Sequence, residues 1–129
     1  MGSTTFAVGS DGSNVLLGND VDNRISGLAG DDWISAGKGV DWIDGGLGDD
    51  VIDGGDGIDA VFYSGLDFGV AINSGITANL ATGLVTGGMG TDRLSNVEAV
   101  VGTSYNDSFI GSAKDDAFMG NAGNDTADG

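Results

Sequence analysis

The chain repeats itself every nine residues, and no other feature constrains its fold as tightly. From Gly9, six blocks run without a gap to Phe62: GSDGSNVLL, GNDVDNRIS, GLAGDDWIS, AGKGVDWID, GGLGDDVID and GGDGIDAVF. The sixth place of each is Asn or Asp, at Asn14, Asn23, Asp32, Asp41, Asp50 and Asp59. The eighth is aliphatic, at Leu16, Ile25, Ile34, Ile43, Ile52 and Val61. A further block, GGMGTDRLS, starts at Gly87 and puts Asp92 and Leu94 in these two places. GTSYNDSFI, GSAKDDAFM and GNAGNDTAD follow from Gly102, with Asp107, Asp116 and Asp125 in sixth place and Phe109, Phe118 and Ala127 in eighth. Between the Gly87 and Gly102 blocks, residues 96–101 supply six residues instead of nine.

The first six places of a block are turn chemistry, since glycine at places 1, 2 and 4 permits positive φ and close backbone approach. The last three places make one short strand. Strand side chains alternate, so place 8 faces inward while 7 and 9 face outward. Each block is then half a coil, and two blocks close a circuit of 18 residues. Successive circuits stack as parallel strands about 4.8 Å apart. Trp33 and Trp42, in place 7, point outward on opposite faces, and Val15, Leu17, Trp33 and Val51 share one of them. Phe109 and Phe118 belong to the core.

Residues 63–86 break the period, and their runs Val70-Ala71-Ile72 and Ile76-Thr77-Ala78-Asn79-Leu80 predict strands. The expected organisation is a leader or junction over 1–8, a first roll over 9–62, an irregular strand-bearing insert over 63–86 and a second roll over 87–129. The insert is expected to pack on the outward tryptophans. Because the second roll stops mid-repeat, the chain reads as a piece of a longer polypeptide.

Stacking piles the sixth-place carboxylates in rows, where like charges repel. The whole chain carries a net charge of −16 from 20 acids against 4 bases; Glu98 is its one glutamate and 19 of the acids are aspartates. The bases Arg24, Lys38, Arg93 and Lys114 are scattered singly, which argues against nucleic acid and against an anionic membrane surface. No run approaches the roughly 20 apolar residues of a membrane helix, so no membrane insertion is expected. Carboxylate with carbonyl oxygen suits hard Ca²⁺ or Mg²⁺. With no His and no Cys, zinc, thiol and acid–base chemistry are unsupported, and an enzyme is not expected. An EF-hand needs a glutamate closing its loop, and no Asp-x-Asp-x-Asp-Gly run leads to Glu98. A single Asp–Gly pair is only a turn; ten blocks in register are a different matter.

This nonapeptide resembles the calcium-binding β-roll of the RTX (repeats-in-toxin) proteins, which bacterial type I systems secrete. GGLGDDVID, GGDGIDAVF and GGMGTDRLS fit its motif completely, and TANLATG…GGMGTDRLSNVEAVVGTSYNDSFIG is similar to inter-repeat segments of that family. The resemblance implies an all-β fold, a right-handed parallel β-roll (β-solenoid) interrupted by the short insert. It also implies several Ca²⁺ ions, each held by carbonyls of places 2 and 4 and the sixth-place side chain of one turn. Places 1 and 3 and the sixth-place side chain of the turn two blocks on complete each site. Carried over, Leu28, Gly30 and Asp32 face Gly45, Leu47 and Asp50, while Gly37, Gly39 and Asp41 face Gly54, Asp56 and Asp59. In the second roll, Thr103, Tyr105 and Asp107 face Gly120, Ala122 and Asp125. If residues 96–101 are a shortened half coil, Gly88, Gly90 and Asp92 face Gly102, Ser104 and Asp107. Asp116 is counted among the ligands. Asn14 and Asn23, being neutral, make weaker sites or none.

The resulting expectation is a secreted or cell-surface module that folds on Ca²⁺ after export and belongs to a larger parent polypeptide. Two alternatives stay open: a structural or adhesive module with calcium-dependent self-association, and the non-catalytic tail of a secreted enzyme.

Overall fold

A nine-residue block that spends its glycines on a turn has three residues left for a strand. Such a strand is too short to stand alone, but it can pair with the strand two blocks away. The computed structural model describes residues 5–63, 74–87, 90–114 and 116–128, and among them there is no helix. The strands in chain order are β1 (Thr5–Val8), β2 (Val15–Asn19), β3 (Asn23–Ser26), β4 (Trp33–Gly37), β5 (Trp42–Asp44), β6 (Val51–Asp53) and β7 (Ala60–Phe62). After them come β8 (Ile76–Asn79), β9 (Leu84–Gly87), β10 (Gly90–Ser95), β11 (Ala99–Val101), β12 (Ser108–Ile110), β13 (Ala117–Met119) and β14 (Thr126–Asp128).

Alternate blocks go to alternate sheets. One sheet has six strands in the order β1-β3-β5-β7-β11-β13; the other has eight, β14-β12-β8-β9-β10-β6-β4-β2. Neighbours are parallel throughout the first sheet. The second departs from this only at β9, which runs antiparallel to both β8 and β10. The fold is thus the expected parallel β-roll.

The register stacks the eighth-place side chains in two columns between the sheets. Ala7, Ile25, Ile43, Val61, Val100 and Phe118 pair in succession along one. Leu16, Ile34, Ile52 and Leu94 do so along the other. Ile34, Ile43, Ile52 and Val61 are wholly buried. Each such aliphatic side chain contributes roughly 1.5–3 kcal/mol by leaving water. Phe109 extends the second column, and its ring stacks on Phe118 at 4.8 Å between centroids.

Three expectations need correction or relocation. The described part of the insert does not lie on the outward tryptophans: β8, expected from Ile76 onward, and β9 enter the eight-stranded sheet between β12 and β10 instead. Trp33 stays 60 % exposed and Trp42 48 %. Trp42 instead meets Phe62 at 5.5 Å and the Arg24 guanidinium at 5.4 Å. Place 9 does not always face outward either, since Ser26 and Asp44 are buried. A three-residue strand leaves place 9 at the bend, where the following turn covers it. The strand expected at Val70-Ala71-Ile72 lies outside the described residues.

Ile43 tests this packing. Ile43→Ala opens a cavity between Ile25 and Val61, and we expect urea unfolding at fixed solvent composition to show a loss of about 2–5 kcal/mol. The same truncation of the exposed Val15 should change stability by less than about 1 kcal/mol.

Candidate metal centre

The turns between strands stack as closely as the strands do, and only glycine tolerates that. Gly57 has φ +115°, and a Cβ there would strike the Gly39 carbonyl oxygen. Likewise Gly48 abuts the Gly30 carbonyl. The Leu28 and Gly37 carbonyls also face the next turn, accepting the amide hydrogens of Leu47 (2.8 Å) and Asp56 (3.0 Å). Places 2 and 4 therefore aim their oxygens at the neighbouring turn.

Sixth-place carboxylates run as ladders down both edges. On one edge Asn14 N donates to Asp32 Oδ1 (2.8 Å), Asp32 N to Asp50 Oδ1 (2.9 Å) and Asp50 N to Asp92 Oδ1 (2.9 Å). On the other, Asn23 N donates to Asp41 Oδ1 (2.7 Å) and Asp41 N to Asp59 Oδ1 (3.0 Å). Each Oδ1 is thereby satisfied. The Oδ2 atoms of Asp32, Asp41, Asp50 and Asp59 are buried and accept no hydrogen bond. At Gly27 a Cβ would strike both Asp32 Oδ2 and the Gly45 carbonyl oxygen, so these oxygens of successive turns converge on one point. Among the described residues no three carboxylates converge, so a cation here takes most of its ligands from the backbone. Carboxylate and carbonyl oxygens are the donors a hard divalent cation prefers, and a buried oxygen lacking any donor fits one.

Place 2 separates two kinds of turn. At Ser10, Asn19, Thr103 and Ser112, place 2 satisfies the sixth-place side chain with its own groups. Ser10 N donates to Asn14 Oδ1 and Asn19 N to Asn23 Oδ1. Thr103 gives its N–H to Asp107 Oδ2 and its hydroxyl to Asp107 Oδ1, both at 2.8 Å. Ser112 does the same for Asp116. Place 2 has positive φ at Leu28 (76°), Gly37 (105°), Gly46 (88°), Gly55 (90°) and Asn121 (63°), and in the first four of these turns the buried sixth-place Oδ2 is left over. At Gly55 the N–H goes instead to Asp53 Oδ1 (3.0 Å).

Burial also raises the pKa of these groups, making them weaker acids. Desolvation lifts the Asp32 and Asp41 carboxyls above their ordinary value. Asp59 is pushed up to about 7 by burial, then by the charges of Asp41 and Glu98. Asp50 and Asp92 form a buried pair, both raised, chiefly by desolvation.

The expected sites divide accordingly. Leu28, Gly30 and Asp32 meet the turn of Gly45, Leu47 and Asp50, and Gly37, Gly39 and Asp41 meet that of Gly54, Asp56 and Asp59. Gly102, Thr103, Ser104, Tyr105 and Asp107 stand over Gly120, Ala122 and Asp125, through Asp107 N to Asp125 Oδ1 (2.8 Å) and Asn121 Nδ2 to the Gly102 carbonyl (2.9 Å). Gly90 and Asp92 do not meet Asp107. The β8–β9 hairpin separates β10 from β12, so Gly90 packs on Gly48, and Asp107 Oδ1 takes the Ile76 amide hydrogen (2.8 Å). Residue Gly88 of that expected set lies outside the described residues.

Sequence reasoning passed over three participants. Residues 96–101 do form a shortened half coil, and Glu98 takes the sixth place in it: Asp59 N donates to Glu98 Oε2 (2.9 Å). Its signal was that it is the one glutamate in a chain of aspartates. Tyr63 is fully buried, and its hydroxyl donates to Asp92 Oδ2 (2.8 Å), closing that ladder. Burial holds the phenol well above its ordinary value, so it stays a donor. Fifth-place aspartates add outer bonds on both edges: Asp22 accepts from the Val40 amide on one, and Asp31 and Asp49 accept from the amides of Asp49 and Thr91 on the other.

Comparison with known families agrees with this geometry. The family model described as the RTX calcium-binding nonapeptide repeat (4 copies) matches residues 8–42, 26–61 and 101–129, together more than half of the chain. A comparison with curated proteins finds no match. Blocks of nine in register, two parallel sheets and these matched segments together make the chain a member of the RTX calcium-binding nonapeptide repeat family.

Proposed function

We propose that this chain is a calcium-operated folding module of a secreted protein: unfolded where Ca²⁺ is scarce, locked into the roll where it is plentiful. The observation that carries this reading is the set of four buried, donorless Oδ2 atoms at Asp32, Asp41, Asp50 and Asp59. An unsatisfied buried polar atom costs about 1–3 kcal/mol, and more when charged. Four of them rival the roughly 5–15 kcal/mol by which a domain is stable at all. The fold therefore needs a cation in those places, or protons.

Calcium suits the donor set better than magnesium. It accepts six to eight oxygens in irregular arrangements, whereas Mg²⁺ demands an octahedron and keeps its waters. The proposed holders are Leu28, Gly30 and Asp32 with Gly45, Leu47 and Asp50 on one edge. On the other they are Gly37, Gly39 and Asp41 with Gly54, Asp56 and Asp59. Asp107, Asp116, Asn14 and Asn23, already satisfied by place 2 of their own turns, are proposed as weaker sites or none.

The bound ion neutralises paired carboxylates and ties two turns together. Its binding free energy thus becomes folding free energy. In a low-calcium cytosol, net charge −16 and 26 glycines favour the unfolded chain, which suits passage through a type I secretion channel. Millimolar Ca²⁺ outside then closes the roll.

Two measurements test this. Asp50→Ala removes a carboxylate that serves two adjacent turns, and the calcium midpoint of the β circular-dichroism signal should rise by about tenfold or more. An unchanged midpoint would sink the assignment. Protons should partly replace the ion. The folded carboxylates hold protons more tightly than unfolded ones near pH 4, so lowering the pH through about 7 toward that value stabilises the metal-free fold. In chelator, β signal should therefore grow as pH falls from 8 to 4.5, and less calcium should be needed to complete folding at pH 6 than at pH 8.

A further inference from the structure

The seam where the repeat shortens places a set of oxygens that the nonapeptide rule does not supply. Asp59 Oδ2 is wholly buried and accepts no hydrogen bond. The turn over it is not a nine-residue block but residues 96–98. There Asn96 bends in the left-handed region (φ 52°), its side chain held by Asp53 Oδ1 at 2.9 Å. That bend brings the Asn96 carbonyl oxygen over Gly54, where a Cβ would strike it and Asp59 Oδ2 together. In the regular turns the same point is shared by Asp32 Oδ2 and the carbonyl of Gly45. Asn96 thus takes the role of place 1.

Glu98 completes the set. It is anchored by Asp59, whose carbonyl accepts from Glu98 N (3.2 Å) and Ala99 N (3.0 Å) and whose amide donates to Glu98 Oε2 (2.9 Å). Only Val97 separates Asn96 from Glu98, where a full block has four residues between places 1 and 6, and this shortened turn carries a glutamate where every regular block has Asp or Asn.

We propose that Asp59, Glu98 and the Asn96 carbonyl form a distinct divalent-cation site at this seam, taking Ca²⁺ with fewer backbone oxygens and more water than the regular sites. It joins the coils before residues 63–86 to those after, because Glu98 O in turn accepts from Ala117 N at 2.8 Å. The proposal rests on the calcium reading above, but it fails separately.

Two readouts on the full chain decide it. Glu98→Gln keeps an acceptor for the Asp59 amide and removes the charge. Equilibrium dialysis at millimolar Ca²⁺ should count one ion fewer per chain, with β circular dichroism unchanged; an unaltered count overturns the site. The second needs no variant: substoichiometric Mn²⁺, with the same oxygen preference, should broaden the amide resonances of Asp59, Val97 and Glu98. Broadening around Asp32 and Asp50 but not at these three overturns the seam site alone. A chain that takes up no ion overturns both readings.

Discussion

A carboxylate with one oxygen held by a backbone amide and the other sealed from water without a donor is poor company for its like. In this roll such groups sit one above another, Asp32 below Asp50 and Asp41 below Asp59. Coulomb repulsion and desolvation act in the same direction there, which is why the carboxyls of Asp50 and Asp59 are so hard to ionise. Everything else follows from stacking them. At Gly27, Gly45, Gly54, Gly102 and Gly120, in place 1, the carboxylate fills the space a Cβ would take. The strands must be short because the next turn begins within three residues. The aliphatic columns run down the middle because the rim is committed to oxygen.

The roll does not treat all its turns alike. In the Leu28, Gly37, Gly46 and Gly55 turns the backbone at place 2 turns its N–H away from the sixth-place side chain. At Ser10, Asn19, Thr103 and Ser112 the backbone N–H of place 2 meets that side chain directly. The turns with a donorless carboxylate oxygen are therefore preceded, at Ser10 and Asn19, by turns that complete their own hydrogen bonds. Under the proposed mechanism, calcium closes the central coils against neighbours that already hold their shape.

Much of this was legible in the sequence because a nine-residue period converts directly into register. Every eighth-place residue from Leu16 to Val61 lies in a core column, and every sixth-place residue from Asn14 to Asp59 lies in a ladder. What the period did not reveal lies where it breaks. The stacking of Asp92 on Asp50 rather than on Asp107 depends on a hairpin, β8–β9, that intrudes edgewise into one sheet only. Tyr63 looked like the first residue of an irregular insert, yet it is the buried cap of a carboxylate ladder, a role set by tertiary packing alone. Glu98 was visible as an oddity, but its place became readable only once Ala99–Val101 was seen to stand between Ala60–Phe62 and Ala117–Met119.

The central claim is that cations, not the apolar columns alone, hold this fold together. Its most direct test is the dependence of unfolding free energy on calcium concentration, measured by urea denaturation from the micromolar to the millimolar range. If ions fill the places beside Asp32, Asp41, Asp50 and Asp59, stability should climb steeply with log[Ca²⁺]. Each saturating ion then adds about 1.4 kcal/mol per decade, giving a slope of several ions per chain. A flat line, with the roll equally stable in chelator at pH 7.5, would contradict the account.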